Sequence, residues 1–230
     1  MKIIQSERPE IEAANLIEDK LQAYINQPIL LLLSGGSWLS VYEEIRAIDL
    51  DDRVTIGMLD ERFSEDVTVN NFAQFMQTHI YEEALKRGVR FIDTRLQAAE
   101  TLNDLAKRFT ESLQAWRTQN SDGIIIATLG LGTDGHTAGI FSTLDTTSFP
   151  ENTWAVGYEV DKSVNEYAQR VTVTPYFLTH EVEQAICYVV GENKCEVLGQ
   201  IISEDKQTKK YPAQIWQEMK EVAVVTNCKM

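Results

Sequence analysis

Cysteine is scarce in this chain. Cys187, Cys195 and Cys228 are three in 230 residues, an odd number with no CxxC pair and no Cys/His ligand spacing. That pattern points away from a disulfide framework and from a zinc finger. Positive charge is short too, with 21 Lys and Arg against 35 Asp and Glu and a formal net charge of −14. A field of that sign argues against non-specific binding to nucleic acid or to anionic membranes. It also requires any phosphorylated ligand to meet local cations strong enough to overcome the general repulsion. Membrane-length apolar runs are missing, and even 29-ILLLL-33 is only of strand length. The opening stretch, MKIIQSERPEIEAAN, has no apolar signal core. The expectation is a cytoplasmic protein that does not associate with membranes.

What is present is ordinary for a globular core: 43% hydrophobic and 24% charged residues. Ile11, Ala14, Ile17, Leu21 and Ile25 recur at helical spacing over 10–25. The strand 29-ILLLL-33 follows, then the turn 34-SGGS-37 and a helix expected over 38–48. The apolar run 54-VTIGML-59 ends at 60-DERF-63, and helical periodicity returns over 70–85 and 100–116. Beyond the strand 123-GIIIATL-129, the segments 154–160 and 169–174 alternate like strands. A helix near 175–185, a strand over 186–191, a helix over 193–202, a helix over 211–220 and a strand over 221–225 complete the chain. Continuous apolar strands separated by helices predict one α/β domain spanning 1–230, doubly wound, with a mostly parallel sheet and helices on both faces. Ligands gather beyond the carboxyl ends of such strands, and each glycine- and charge-rich motif here lies at such an end.

In 34-SGGS-37 the glycines allow a tight turn and a close backbone approach to an anion at Gly35, Gly36 and Ser37. Alone, the pattern serves equally as a plain strand-to-helix turn. In 60-DERF-63, Arg62 can fork onto phosphate oxygens and Asp60 can serve as base or orienter, against a bland reading as a helix cap with a surface ion pair. The segment 129-LGLGTDGHTAGIF-141 places Asp134 and His136 one residue apart in a glycine-rich turn. A histidine takes a proton from water near neutral pH, and a neighbouring carboxylate fixes its tautomer. His79, in a helical stretch, and His180 are given no role. Arg170 opens an alternating strand. Lys194 starts a helix, where a cation opposes the dipole and so has a reason to exist beyond helix stability.

Taken in order, 31-LLLSGGS-37, 60-DERF-63, 70-NNF-72, 129-LGLGTDGHTAGIF-141, 170-RVTVT-174 and 190-VGENK-194 resemble the 6-phosphogluconolactonases, relatives of the glucosamine-6-phosphate deaminases/isomerases. The resemblance implies a Rossmann-like fold, a sugar-phosphate ligand, no nucleotide cofactor and no metal. It also implies hydrolysis of a δ-lactone 6-phosphate to the open acid. It places the phosphate at Gly35, Gly36 and Ser37 with Arg170 and Lys194, and Arg62 adding cationic character. It makes His136 the general base supported by Asp134, and Asp60 stands beside them as an acid/base candidate from its own chemistry. The deaminases carry a glutamate five residues after the histidine, where this chain has Phe141. Aldose–ketose isomerisation with deamination and non-catalytic sugar-phosphate binding stand as the alternatives. Trp38-Leu39 replaces the family's usual Thr-Pro and is expected to put bulk beside the phosphate turn. The sequence also departs at Thr133, at 139-GIFST-143 and in the tail VVTNCKM.

Overall fold

A computed structural model describes residues 1–203 and 210–229. In chain order the elements are β1 (Lys2–Gln5), α1 (Pro9–Ala23), β2 (Ile29–Leu33), α2 (Trp38–Tyr42), β3 (Val54–Met58) and β4 (Asp60–Arg62). Then come α3 (Asn71–Phe75), α4 (His79–Lys86), β5 (Arg90–Phe91), α5 (Leu102–Gln119) and β6 (Ile124–Gly130). The last are β7 (Ala155–Glu159), β8 (Gln169–Val173), α6 (Pro175–His180), β9 (Gln184–Val189), α7 (Glu192–Ser203) and β10 (Val222–Thr226). No described helix is long and apolar enough to cross a membrane.

Seven parallel strands form the main sheet in the order β1-β10-β9-β6-β2-β3-β5. The period-two alternation of strand side chains divides the core in two. Ile29, Leu31 and Leu33 pack with α1, α2, α3 and α4 on one face. Leu30 and Leu32 pack with α5, α6 and α7 on the other. This is the doubly wound sheet that the continuous apolar runs predict.

The alternating segments after Pro150 behave differently. β7 and β8 leave the main sheet and join β4 in a small antiparallel sheet of order β4-β8-β7. The expectation of a single sheet is corrected accordingly. Leu59 is the joint. Its N–H donates to Leu33 O at 2.8 Å in the main sheet, and its carbonyl accepts from Val173 N at 3.0 Å in the small one. One continuous stretch of chain, 54–62, thus crosses from one sheet to the other and delivers Asp60 and Arg62 to the gap between them.

Four helices are shorter than the periodicity predicts, the 175–185 helix among them, which ends at His180. The 38–48 helix ends at Tyr42, because the buried Glu18 carboxylate draws in Arg46, accepting from its backbone N–H at 2.7 Å and its Nε at 2.8 Å. The 70–85 helix is interrupted before His79, where Thr78 is extended. The 211–220 helix is a 3-10 segment, Pro212–Gln217.

The cysteine expectation is overturned. Cys195 and Cys228 form a disulfide, with Cα atoms 5.3 Å apart, while Cys187 is free and buried. The parallel pairing of β9 with β10 brings the start of α7 beside the tail, a proximity that spacing along the chain does not reveal. Closing a loop with a separation of 33 residues restricts the unfolded chain by roughly 3–4 kcal/mol in the loop-entropy account. Full reduction is therefore expected to lower Tm by several degrees in paired thermal scans; identical scans with the thiols titrated as free would rule this out.

Candidate active site

β2 and β6 are parallel neighbours, and the chain leaves them toward opposite faces of the sheet. A crevice opens at such a switch point. Ser34 ties the two exits together, its N–H donating to Thr128 Oγ1 at 2.9 Å and its hydroxyl to Thr128 O at 2.5 Å. The resulting cleft, about 220 Å³, is lined by the turn Gly35–Ser37, Asp60, Arg62, His136, Arg170 and Lys194. Every site residue expected from sequence therefore reaches one cavity except Asp134, which stands behind His136. A second hollow of about 270 Å³, between Tyr176 and Tyr211 across Phe141, holds none of them.

Glycine is required where the walls are thin. Gly36 has φ +64, a left-handed conformation. A Cβ on Gly35 would lie 2.5 Å from Asn71 Oδ1. The following α2 has only five residues, so few peptide dipoles add up there. An anion at this turn would meet the turn's own amides rather than a long helix dipole. Trp38 does not crowd it. The indole is fully buried, stacked at 5.9 Å on Tyr42 and tilted at 5.5 Å against Tyr188, so the expected bulk lies beneath the site.

Across the cleft the small sheet supplies cations. Arg170, 6% exposed, is fixed by three hydrogen bonds of 3.1 Å, from Nη1 to Asp60 Oδ2, Nη2 to Asn165 Oδ1 and Nε to Tyr167 O. Arg62 faces Arg170 directly across the β4–β8 ladder, an arrangement that is costly for like charges. It is held by Val69 O at 2.9 Å and by the Tyr167 ring, 4.6 Å from its Cζ. Burial, then the neighbouring Arg170, lowers the Arg62 pKa. Its Nε is buried and has no partner, a donor awaiting an acceptor. Lys194, in the first turn of α7, is half-buried, and desolvation lowers its pKa. The three cations outnumber the single lining carboxylate, Asp60, which makes the cleft locally positive in a chain of net charge −14.

An imidazole–carboxylate pair lies opposite. His136 Nδ1 is 2.5 Å from Asp134 Oδ1, and that hydrogen bond is the main cause of Asp134's lowered pKa. In the neutral ring, a carboxylate on Nδ1 favours the tautomer with its proton there and Nε2 as acceptor. Gly132 makes the pair possible, since a Cβ there would sit 2.1 Å from His136 Nδ1 and 2.6 Å from Asp134 Oδ1. The Phe141 ring packs against the imidazole at 4.7 Å and lies 5.6 Å from Arg170 Cζ, a wall between imidazole and guanidinium. Of the other histidines, His79 pairs with Glu43 at 2.9 Å and His180 bonds Tyr176 O at 3.0 Å.

Sequence reasoning left Asn71 as part of a motif without a task. Its Nδ2 donates to Asp60 O at 2.9 Å, and its side chain forms part of the cleft wall. Glu61, the second carboxylate of DERF, turns away from the cleft. It accepts from the N–H groups of Arg62 (2.7 Å), Asn71 (2.6 Å) and Phe72 (3.0 Å) and from Thr94 Oγ1 (2.8 Å). Burial nonetheless pushes its pKa up to about 7 from an ordinary 4.5. Between those values the folded state binds more protons than the unfolded one, so this group's stabilising contribution is lost as pH rises. Unfolding wild type and Glu61→Gln in urea at pH 5 and pH 8 should shift their difference toward the variant at the higher pH, by up to roughly 3 kcal/mol. A difference independent of pH would show that Glu61 is ionised throughout.

Residues 6–225 match the family model for glucosamine-6-phosphate isomerases/6-phosphogluconolactonase. The chain belongs to this family. A curated relative from Chlamydia pneumoniae, named 6-phosphogluconolactonase, is 30% identical over 189 residues, which is 78% of this chain and 67% of the relative. The fold is shared with a 6-phosphogluconolactonase from Trypanosoma brucei, with TM-score 0.76 and 21% identity over 98% of this chain and 95% of that one. It is shared equally with one from Shewanella baltica, with TM-score 0.76 and 22% identity over 98% and 96%.

Proposed function

We propose that this family member hydrolyses 6-phospho-D-glucono-1,5-lactone to 6-phosphogluconate. The observation that carries the reading is an imidazole–carboxylate pair and three cations converging on one cleft at the switch point between β2 and β6. The name carried by the Chlamydia pneumoniae relative supports it.

In this reading Arg170, Arg62, Lys194 and the amides of Gly35, Gly36 and Ser37 hold the phosphate. Asp60, held against Arg170 at 3.1 Å, orients that guanidinium. With the phosphate anchored, the lactone carbonyl is presented to a water beside His136 Nε2. As the water oxygen bonds to the carbonyl carbon, Nε2 takes its proton, and the Asp134 carboxylate stabilises the imidazolium. The tetrahedral intermediate then collapses. The bond from carbon to ring oxygen breaks, and that oxygen takes the proton back from His136. Phe141 stands where the deaminases have glutamate, and an aromatic ring accepts no proton.

The test is to generate the lactone in situ and measure its opening above the spontaneous rate. Acceleration proportional to enzyme supports the hydrolase. Ammonia release from glucosamine 6-phosphate would mark a deaminase instead. Thermal stabilisation by 6-phosphogluconate without turnover would mark a binding protein.

A further inference from the structure

The turn that carries Asp134 and His136 has slender support of its own. Gly132 N donates to His136 O at 2.9 Å and Gly135 N to Gly132 O at 3.0 Å. Its outer side rests on a distant part of the chain, the 3-10 segment Pro212–Gln217 and the tyrosine before it. The Tyr211 ring lies against Gly135 so closely that a Cβ there would be 2.3 Å from Tyr211 Cδ1. Ala213 N donates to Gly135 O at 3.1 Å. Trp216, 1% exposed, donates from Nε1 to Thr137 Oγ1 at 3.3 Å, and that hydroxyl donates to Gly130 O at 2.8 Å.

Thr137 is the pivot of the loop. His136 precedes it, and a tight turn follows, with Ile140 N donating to Thr137 O at 2.7 Å. Its fully buried hydroxyl closes the loop back onto the last residue of β6. A hydroxyl with one donor direction and two acceptor lone pairs keeps its bond to Gly130 without the indole. The rotation of the Thr137 side chain, and with it the height of the preceding residue, then loses one of its two fixed points. Trp216 itself lies outside the cleft, packed in the core with Leu129, Ala138 and Ile140.

We propose that Trp216 is a positioning residue for His136, acting through the Thr137 hydroxyl. The inference rests on the hydrolase reading, in which His136 Nε2 must meet a water at a fixed distance from the carbonyl. Near-attack geometry is steep, and a displacement of about 1 Å can cost on the order of 10²-fold in rate.

Trp216→Phe removes the indole N–H and keeps an aromatic filler. It is expected to lower kcat about tenfold while leaving KM and the affinity for 6-phosphogluconate within about twofold, the signature of an interaction that matters in the transition state. The His136 ring resonances should move in ¹H–¹³C spectra of labelled protein. Thr137→Val, which also loses the bond to Gly130, should lower kcat at least as far, Thr137→Ser should restore it, and Trp216→Phe with Thr137→Val should do no more than Thr137→Val alone. The proposal is overturned if kcat and the His136 resonances of Trp216→Phe match wild type. Multiplicative effects of the two substitutions, or a fall in activity that only tracks lost Tm, overturn it equally. If Trp216→Phe does not fold, the Thr137 pair decides alone: Ser without rescue ends the idea. Wild type that fails to open the lactone sinks the hydrolase reading instead, and the His136 resonances then report the positioning by themselves.

Discussion

His136→Ala is expected to lower kcat for lactone opening by about 10²–10⁴-fold, the usual worth of a positioned general base. Binding of 6-phosphogluconate should be almost untouched, because Arg170 lies beyond the Phe141 ring that packs on the imidazole at 4.7 Å. Asp134 would remain, yet a carboxylate displaced from the cleft cannot replace an acceptor that lines it. The measurement is turnover of lactone formed in situ with the uncatalysed rate subtracted, beside calorimetric titration with the product. Undiminished turnover would remove His136 from the mechanism and leave the acid/base assignment without an owner.

The second large effect belongs to Arg170→Met, which should raise KM about 10- to 100-fold, as expected for losing charge-assisted hydrogen bonds to a ligand. It also strands the Asp60 carboxylate, only 8% exposed, so stability should fall by a few kcal/mol. The two consequences separate in the double variant. Arg170→Met with Asp60→Asn should regain most of the stability in denaturant melts and none of the affinity. An unchanged KM in the single variant would place the phosphate elsewhere.

The main sheet was legible because its cause is local: ILLLL and GIIIATL are apolar on both faces, which only a strand covered on both sides requires. The small sheet was legible in part: β7 and β8 alternate as strands. Its separateness was not, because it depends on Asp60, Glu61 and Arg62 finding Thr172, Val171 and Arg170 across more than a hundred residues, and the three-residue β4 leaves no period to read. Helix ends failed for a similar reason, since Glu18 reaches Arg46 only after α1 has packed. The disulfide was hidden because pairing is set by the β9–β10 neighbourhood, not by cysteine spacing. Within the site, motifs at strand ends announced the residues that line the cleft. Their supports did not: Asn165 and Tyr167 lie in a connection with no period, and the bond from Trp216 to Thr137 spans 79 residues of chain.

The passage of the chain through Leu59 has one more consequence. The His136–Asp134 pair follows β6 of the main sheet, whereas Arg62 and Arg170 lie on the small one, so the span between imidazole and guanidinium groups rests on the joint at Leu59 and on packing between the sheets. Interior side chains of the shared core, among them Val171, Val173 and Leu129, contribute to that span. Those apolar residues act as a ruler for the molecule that fits, and its length can be rewritten by a methyl group that no ligand ever touches.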